Sequence, residues 1–198
     1  MFQELIQYYT DKSVDVNQET IDLMHKYLSE KTIKKGTYLV SPGEFCEHTF
    51  FVSQGLLRGY TTDTQGKEHI MQFAPENWLI SDRSGTFMKE KSDQYVEAVE
   101  NSKVVFINEH FLVQASENNS SFRKYNLYAL NNHIRHLQRR INLLLSAPAE
   151  VRYLDFIKLY PNIIARVPQW MIASYLGITP ESLSRVRKEL AKKSFKPN

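Results

Sequence analysis

The stretch Pro168-Gln169-Trp170-Met171-Ile172-Ala173-Ser174-Tyr175-Leu176-Gly177-Ile178-Thr179-Pro180-Glu181-Ser182-Leu183-Ser184-Arg185-Val186-Arg187-Lys188-Glu189-Leu190 decides the fold of this chain. It reads as two helices joined by a tight turn. Pro168 suits a helix first turn, and Ala173 is small where two helices would cross closely. Gly177 supplies the positive φ that the turn demands, and Ile178 fills the angle between the helices. Thr179 is an N-cap with Pro180 at N1 and Ser182 at N3, so the second helix starts there. On that helix Leu183, Val186 and Leu190 form an apolar stripe, while Glu181, Arg185, Lys188 and Lys192 step along the opposite face. Arginine donates bidentately to guanine O6 and N7 and glutamate accepts from cytosine N4, so a ridge opening with Glu181, Ser182 and Arg185 suits a DNA major groove. Lys188, Lys192 and Lys193 suit phosphates, which position rather than specify. An ordinary amphipathic hairpin would explain solvated lysines, but not the small crossing residue, turn glycine, capped start and basic face together.

Upstream, Leu127, Leu130, Ile134, Leu137, Ile141 and Leu144 recur at alternating steps of three and four, a heptad pattern. The flanking His133, Arg135, Arg139 and Arg140 are polar, so this helix is not buried all round, and a narrow apolar seam favours a partner helix. A parallel homodimer is the expectation; packing of the seam on the chain's own N-terminal part is the alternative. Pro148 ends or kinks the helix, and residues 150–160 begin another with Val151, Leu154 and Ile157 expected inward.

Further toward the N-terminus the period changes. The runs at 37–40, 49–54, 56–62, 69–73, 95–99 and 103–107 read as short strands, separated by turns such as Ser41-Pro42-Gly43-Glu44 and Asp63-Thr64-Gln65-Gly66-Lys67. Such spacing implies an antiparallel barrel, roll or sandwich. Six of the seven glycines lie before residue 86, where the turns are. Ahead of the strands, residues 18–30 space Ile21, Met24 and Leu28 as one amphipathic helix, with the change of period expected at Thr32.

Charge divides the chain in the same way. Residues 1–120 carry 11 basic and 18 acidic side chains, whereas residues 121–198 carry 14 basic and 4 acidic ones. A basic C-terminal part suggests a polyanionic partner, because Lys and Arg that neutralise phosphates release condensed counterions. The 198 residues, 42% hydrophobic, form a globular composition, and no apolar run reaches the roughly 18 residues of a membrane span. Without a signal-peptide pattern at Met1-Phe2-Gln3-Glu4, a soluble, cytoplasmic protein is expected. Cys46 is the only cysteine, which excludes an intrachain disulfide, a Cys-ligated zinc finger and a four-cysteine iron–sulfur cluster.

This order of small β-roll, long heptad helix and helix-turn-helix resembles the Crp/Fnr (catabolite-activator) family of transcription regulators. The resemblance spans nearly the whole chain, through Lys34-Lys35-Gly36-Thr37-Tyr38-Leu39-Val40-Ser41-Pro42-Gly43-Glu44, Val52-Ser53-Gln54-Gly55-Leu56-Leu57-Arg58, Gly66-Lys67-Glu68 and Ile178-Thr179-Pro180-Glu181-Ser182-Leu183-Ser184-Arg185. It implies an α+β fold: a cyclic-nucleotide-binding-like β-roll (double-stranded β-helix) over 1–115, a dimerisation helix over 116–147 and a winged-helix-type helix-turn-helix over 148–198. It implies a homodimer on double-stranded DNA with two-fold-related half-sites, no membrane, and RNA polymerase as a further partner. The implied DNA-binding set is Gln169, Trp170, Thr179, Glu181, Ser182, Arg185 and Lys188, with Gln169 or Trp170 near phosphate. Relatives commonly add a β-wing, and the ending Ser194-Phe195-Lys196-Pro197-Asn198 leads us to expect the last wing truncated.

Family members that bind a cyclic nucleotide carry Gly-Glu for the ribose and, about ten residues on, Arg-Ser or Arg-Thr for the phosphate. Here Ser81-Asp82 and Gln94-Tyr95 stand in those places, and Tyr95 is expected to add bulk at the phosphate position. The phosphate would lose a charge-assisted bidentate contact, for which Arg83 is the one candidate substitute. Cyclic AMP is therefore not the expected effector, and no cofactor or metal is expected. His48, His69 and Cys46 are the residues a haem would need, but a lone histidine in a strand is far more simply structural.

Enzyme motifs are absent: no Gly-x-Gly-x-x-Gly, Gly-x-x-x-x-Gly-Lys, His-Glu-x-x-His or Gly-x-Ser-x-Gly occurs. Glu97 and Glu100 are expected to face solvent. Two rivals remain: a small-molecule-binding roll whose helical tail pairs protein chains, and a cupin-like metal enzyme, for which the histidines are too scattered.

Overall fold

In the computed structural model, which describes residues 1–194, two helices, α1 (Gln3–Asp11) and α2 (Gln18–Tyr27), precede eight strands. These are β1 (Leu28–Ile33), β2 (Tyr38–Val40), β3 (His48–Gln54), β4 (Leu57–Thr62), β5 (Glu68–Ala74), β6 (Leu79–Ile80), β7 (Tyr95–Ala98) and β8 (Ser102–Asn108). Five helices follow: α3 (Glu109–Asn118), α4 (Ser120–Ser146), α5 (Ala149–Leu159), α6 (Gln169–Leu176) and α7 (Pro180–Ser194). The strands form two antiparallel sheets of order β1-β8-β3-β6 and β2-β7-β4-β5. The expected lack of a wing concerns residues 195–198, which lie outside the described residues.

Strand alternation builds three cores. On β3, Phe50 and Val52 point between the sheets with Leu57, Ile80, Val96 and Val104, while Phe51 points outward. Phe51, Val105 and Ile107 on that outer face are covered by Leu5 and Tyr9 of α1, Met24 of α2, Phe111 of α3, and Phe122 and Tyr125 of α4. On the other sheet, Leu56, Tyr60, Ile70 and Phe73 share a core with Tyr153, Phe156 and Tyr160 of α5 and with Met171, Ile172 and Leu176 of α6. The C-terminal helices are thus seated on the roll of their own chain.

Three expectations need correction. The helix expected to Glu30 ends at Tyr27, and Leu28 opens β1 opposite Ile107. Helical spacing holds through Leu28, yet the ladder offered by β8 outweighs that local preference. The inward face of α5 is Tyr153 and Phe156 rather than Val151 and Leu154, which are 46% and 43% exposed; Ile157 is partly buried. Both triplets have helical spacing, and the larger aromatic payload faces the sheet. Glu97 and Glu100 do not simply face solvent, because each pairs with an arginine described below.

Candidate nucleic-acid interface

Local chemistry shapes the turn between α6 and α7. Gly177 has φ +64°, and its N–H together with that of Ile178 closes on the last carbonyls of α6, Ile178 N–H reaching Ala173 O at 3.0 Å. The positive φ calls for glycine at Gly177, where a Cβ would also press to 3.2 Å from the tip of Leu144. Ala173 is buried at the crossing. The Thr179 hydroxyl accepts from Ser182 N–H at 3.2 Å, capping α7.

Leu183 is fully buried and Val186 and Leu190 pack beside it, which turns Glu181, Arg185, Lys188 and Lys192 to solvent. The hydrogen bond from its own backbone N–H, then the Thr179 hydroxyl, hold the Glu181 carboxyl below its usual range; the Arg185 charge one turn on acts in the same direction. Among the described residues Arg185 and Lys188 make no ion pair, whereas Lys193 is held by Glu150 at 2.8 Å. Thr179, Glu181, Ser182, Arg185 and Lys188 therefore share the start and open face of one helix. Gln169 lies exposed at the start of α6. Trp170 stands apart from that face: it lies over the Arg58 guanidinium, 5.5 Å from its ring centroid, against the roll.

The opposite side of α6 is fastened to β5, which the sequence pattern did not disclose. Ser174 Oγ donates to Glu68 O and accepts from Ile70 N–H, both at 2.9 Å. Arg140, read from the sequence only as a polar position flanking the seam, donates to the carbonyls of Met71, Ile70 and Tyr175 and stacks on the Tyr175 ring at 4.0 Å. Arg166 grips Glu76 at 2.8 and 2.9 Å and Glu100 at 2.5 Å. Burial is the largest single influence on Glu76 and opposes its ionisation, but the Arg166 hydrogen bond and charge together with backbone N–H donors of Glu76 and Gly55 leave the carboxyl below its usual range. Arg58, its side chain only 6% exposed, binds Glu97 at 2.6 Å and Glu68 at 2.5 Å. The one sequence signal for these contacts was a charged residue inside the apolar run Leu56-Leu57-Arg58-Gly59-Tyr60, where a buried cation requires partners.

The segment that would hold a nucleotide is closely packed. Asp82 is buried, with Oδ1 accepting from Ser84 N–H at 3.1 Å and Oδ2 sealed without a partner. A Cβ on Gly85 would lie 2.6 Å from Cys46 N, and Thr86 Oγ1 donates to Asp82 O at 2.9 Å. Tyr95 does not add bulk inside: it stacks on Tyr60 at 4.8 Å against the C-terminal core, and its neighbour Val96 points inward instead. Arg83 stacks on Phe87 at 4.3 Å. Cys46 is buried, His48 sits against Phe106, and His69 pairs with Asp63 at 2.8 Å. No group of three or more His, Cys, Asp or Glu that could hold a metal exists among the described residues.

Residues 30–119 match the family model of the cyclic nucleotide-binding domain. The chain is 25% identical over 189 residues to the anaerobic regulatory protein of Pasteurella multocida, covering 89% of this chain and 68% of that protein. It is 26% identical over 186 residues to the fumarate and nitrate reduction regulatory protein of Vibrio cholerae, covering 86% and 72%. Among solved structures, FixK2 from Bradyrhizobium japonicum superposes with a TM-score of 0.72 at 19% identity, over 86% of this chain and 88% of that one. The chain thus carries a cyclic nucleotide-binding domain and, in sequence across roll, long helix and helix-turn-helix as in fold, is a homologue of the Crp/Fnr transcription regulators.

Proposed function

We propose that the protein is a dimeric, sequence-specific DNA-binding transcription regulator whose β-roll does not answer to cyclic AMP. Residues 1–115 act as sensor, 116–147 as dimerisation helix and 148–198 as the DNA-binding part. It works in the cytoplasm and meets RNA polymerase at its promoters. One observation carries the proposal. A capped helix presents Glu181, Arg185 and Lys188 to solvent on one face and buries Leu183 on the other, the arrangement that fills a major groove. Selection of bound sequences from random duplex DNA, followed by titration against salt, tests it. The expected result is a two-fold-related consensus whose affinity falls steeply with rising salt; binding indifferent to salt, or no enriched sequence, overturns it.

A further inference from the structure

We propose that Arg140 is a positioning residue that sets the spacing of the two half-sites a dimer reads, by fixing the angle between α4 and the helix-turn-helix. The inference deepens the regulator proposal and rests on it. Helices α5, α6 and α7 form one unit through Phe156, Leu176 and Leu183. Ala147 and Pro148 are its covalent joint to α4, and one joint leaves the unit free to turn. A second fixed point sets the angle. Arg140 supplies it, roughly 9 Å back along α4 from Ser146. Its neighbour Ile141 belongs to the apolar seam, so the guanidinium ties α6 directly to the helix that would lie along the two-fold axis.

The receptor for this guanidinium is built into the fold. β5 is an edge strand, and its register with β4 slips between Gly59 and Tyr60, which leaves Met71 as the extra residue of a bulge. A regular strand turns successive carbonyls to opposite edges, whereas here the adjacent carbonyls of Ile70 and Met71 both accept from Arg140. The third acceptor, Tyr175 O at 3.1 Å, lies in the last turn of α6, where the helix dipole favours a cation. Arg140 Nε is sealed from water, so the side chain is held rather than solvated. An ammonium cannot reproduce that planar fork. Arg139 also reaches the unit, at Asp155, but its side chain is 63% exposed and such pairs contribute little. Ser174 fastens α6 to β5 through Glu68 O and Ile70 N–H and bonds nothing on α4.

The test uses the full chain and duplexes carrying two inverted copies of the half-site selected from random DNA, with spacers that differ by single base pairs, beside a duplex with one half-site. Each added base pair turns the second half-site by about a tenth of a helical turn. The unaltered chain should favour one spacer over its neighbours by about tenfold or more. Arg140→Met and Arg140→Lys should cut that preference to about threefold or less, while affinity for the single half-site changes by about twofold at most. General destabilisation would not produce that split. Arg140→Lys, which keeps the charge, decides the matter where Arg140→Met does not fold. Ser174→Ala, which keeps the Arg140 bonds, should retain the preference. The proposal is overturned if Arg140→Lys keeps the spacing preference, if its affinity for the single half-site falls as far as the preference does, or if Ser174→Ala flattens the preference equally. An unaltered chain that enriches no paired half-sites removes the regulator proposal and this one together; a sharp preference that survives in Arg140→Lys removes this one alone.

Discussion

Arg185 and Lys188 lie three residues apart on the open face of α7, yet their chemistry assigns them different work. A guanidinium matches the two acceptors of guanine, whereas an ammonium is a point charge suited to phosphate. Arg185→Ala should cost about 1 to 3 kcal/mol per half-site and relax the preference at one base pair. Lys188→Ala should weaken all sequences alike and reduce the salt slope by about one. Indistinguishable profiles across a panel of operators would refute this division. At the same scale, Lys193 is tied to Glu150, so its contribution to phosphate binding should be smaller than that of Lys188.

At the scale of elements, α4 buries Phe122 and Tyr125 near its start and then leaves Leu127, Leu130, Ile134, Leu137, Ile141 and Leu144 between 37% and 63% exposed. A continuous apolar stripe that its own chain leaves largely open is what a partner helix would cover. Replacing Ile134 and Leu137 with glutamate should yield monomers by sedimentation. It should also weaken operator binding far more than one half-site contact, because dimerisation raises the effective concentration of the second half-site. The segment from β6 to β7 carries its own expectation. With Gln94 where a phosphate-binding arginine would stand, cyclic AMP should bind weaker by roughly 1.5 to 3 kcal/mol, or about tenfold to more than a hundredfold. Micromolar binding of cyclic AMP or cyclic GMP in calorimetry, coupled to tighter operator binding, would show that Arg83 or another group replaces it.

For the whole molecule, the helix-turn-helix and the roll share one core, the Arg140 and Arg166 contacts and the stacking of Trp170 on Arg58, so the two move as neighbours rather than as beads on a linker. The Arg166 clamp titrates. Glu76 has a lowered carboxyl pKa in the folded chain, so its ion pair contributes fully above the ordinary carboxylate range. That contribution fades as pH falls through the lowered folded value. Arg166→Met should therefore reduce the unfolding midpoint at neutral pH and matter progressively less below about pH 4. Glu76 and Glu100 are 39% and 37% exposed at the side chain, so solvent screening keeps the loss to about 1 kcal/mol or less. A difference between variant and unaltered chain that grows in acid would contradict the clamp.

Features that rest on neighbours a few residues away were legible in the order of residues. Gly177, the Thr179 cap and the Leu183 stripe act within a turn or two of helix, and alternation along β3 and β8 fixes which side chains enter the roll. The spacing of Phe2, Leu5 and Tyr9 even carries a signal for α1, which the strand-centred pattern passed over. Where equal local patterns part, the folded chain settles the outcome. Leu28 belongs to a strand because β8 lies beside it, α5 turns Phe156 rather than Leu154 inward because Phe73 of β5 meets it, and Tyr95 faces out because Tyr60 stacks there. Arg58, Arg140 and Arg166 find their partners only where the fold brings β5, Glu97 and Glu76 to them. A residue's spacing reports the face it shares, but what covers that face comes from chain tens of residues away, and burial and pairing energies are set there.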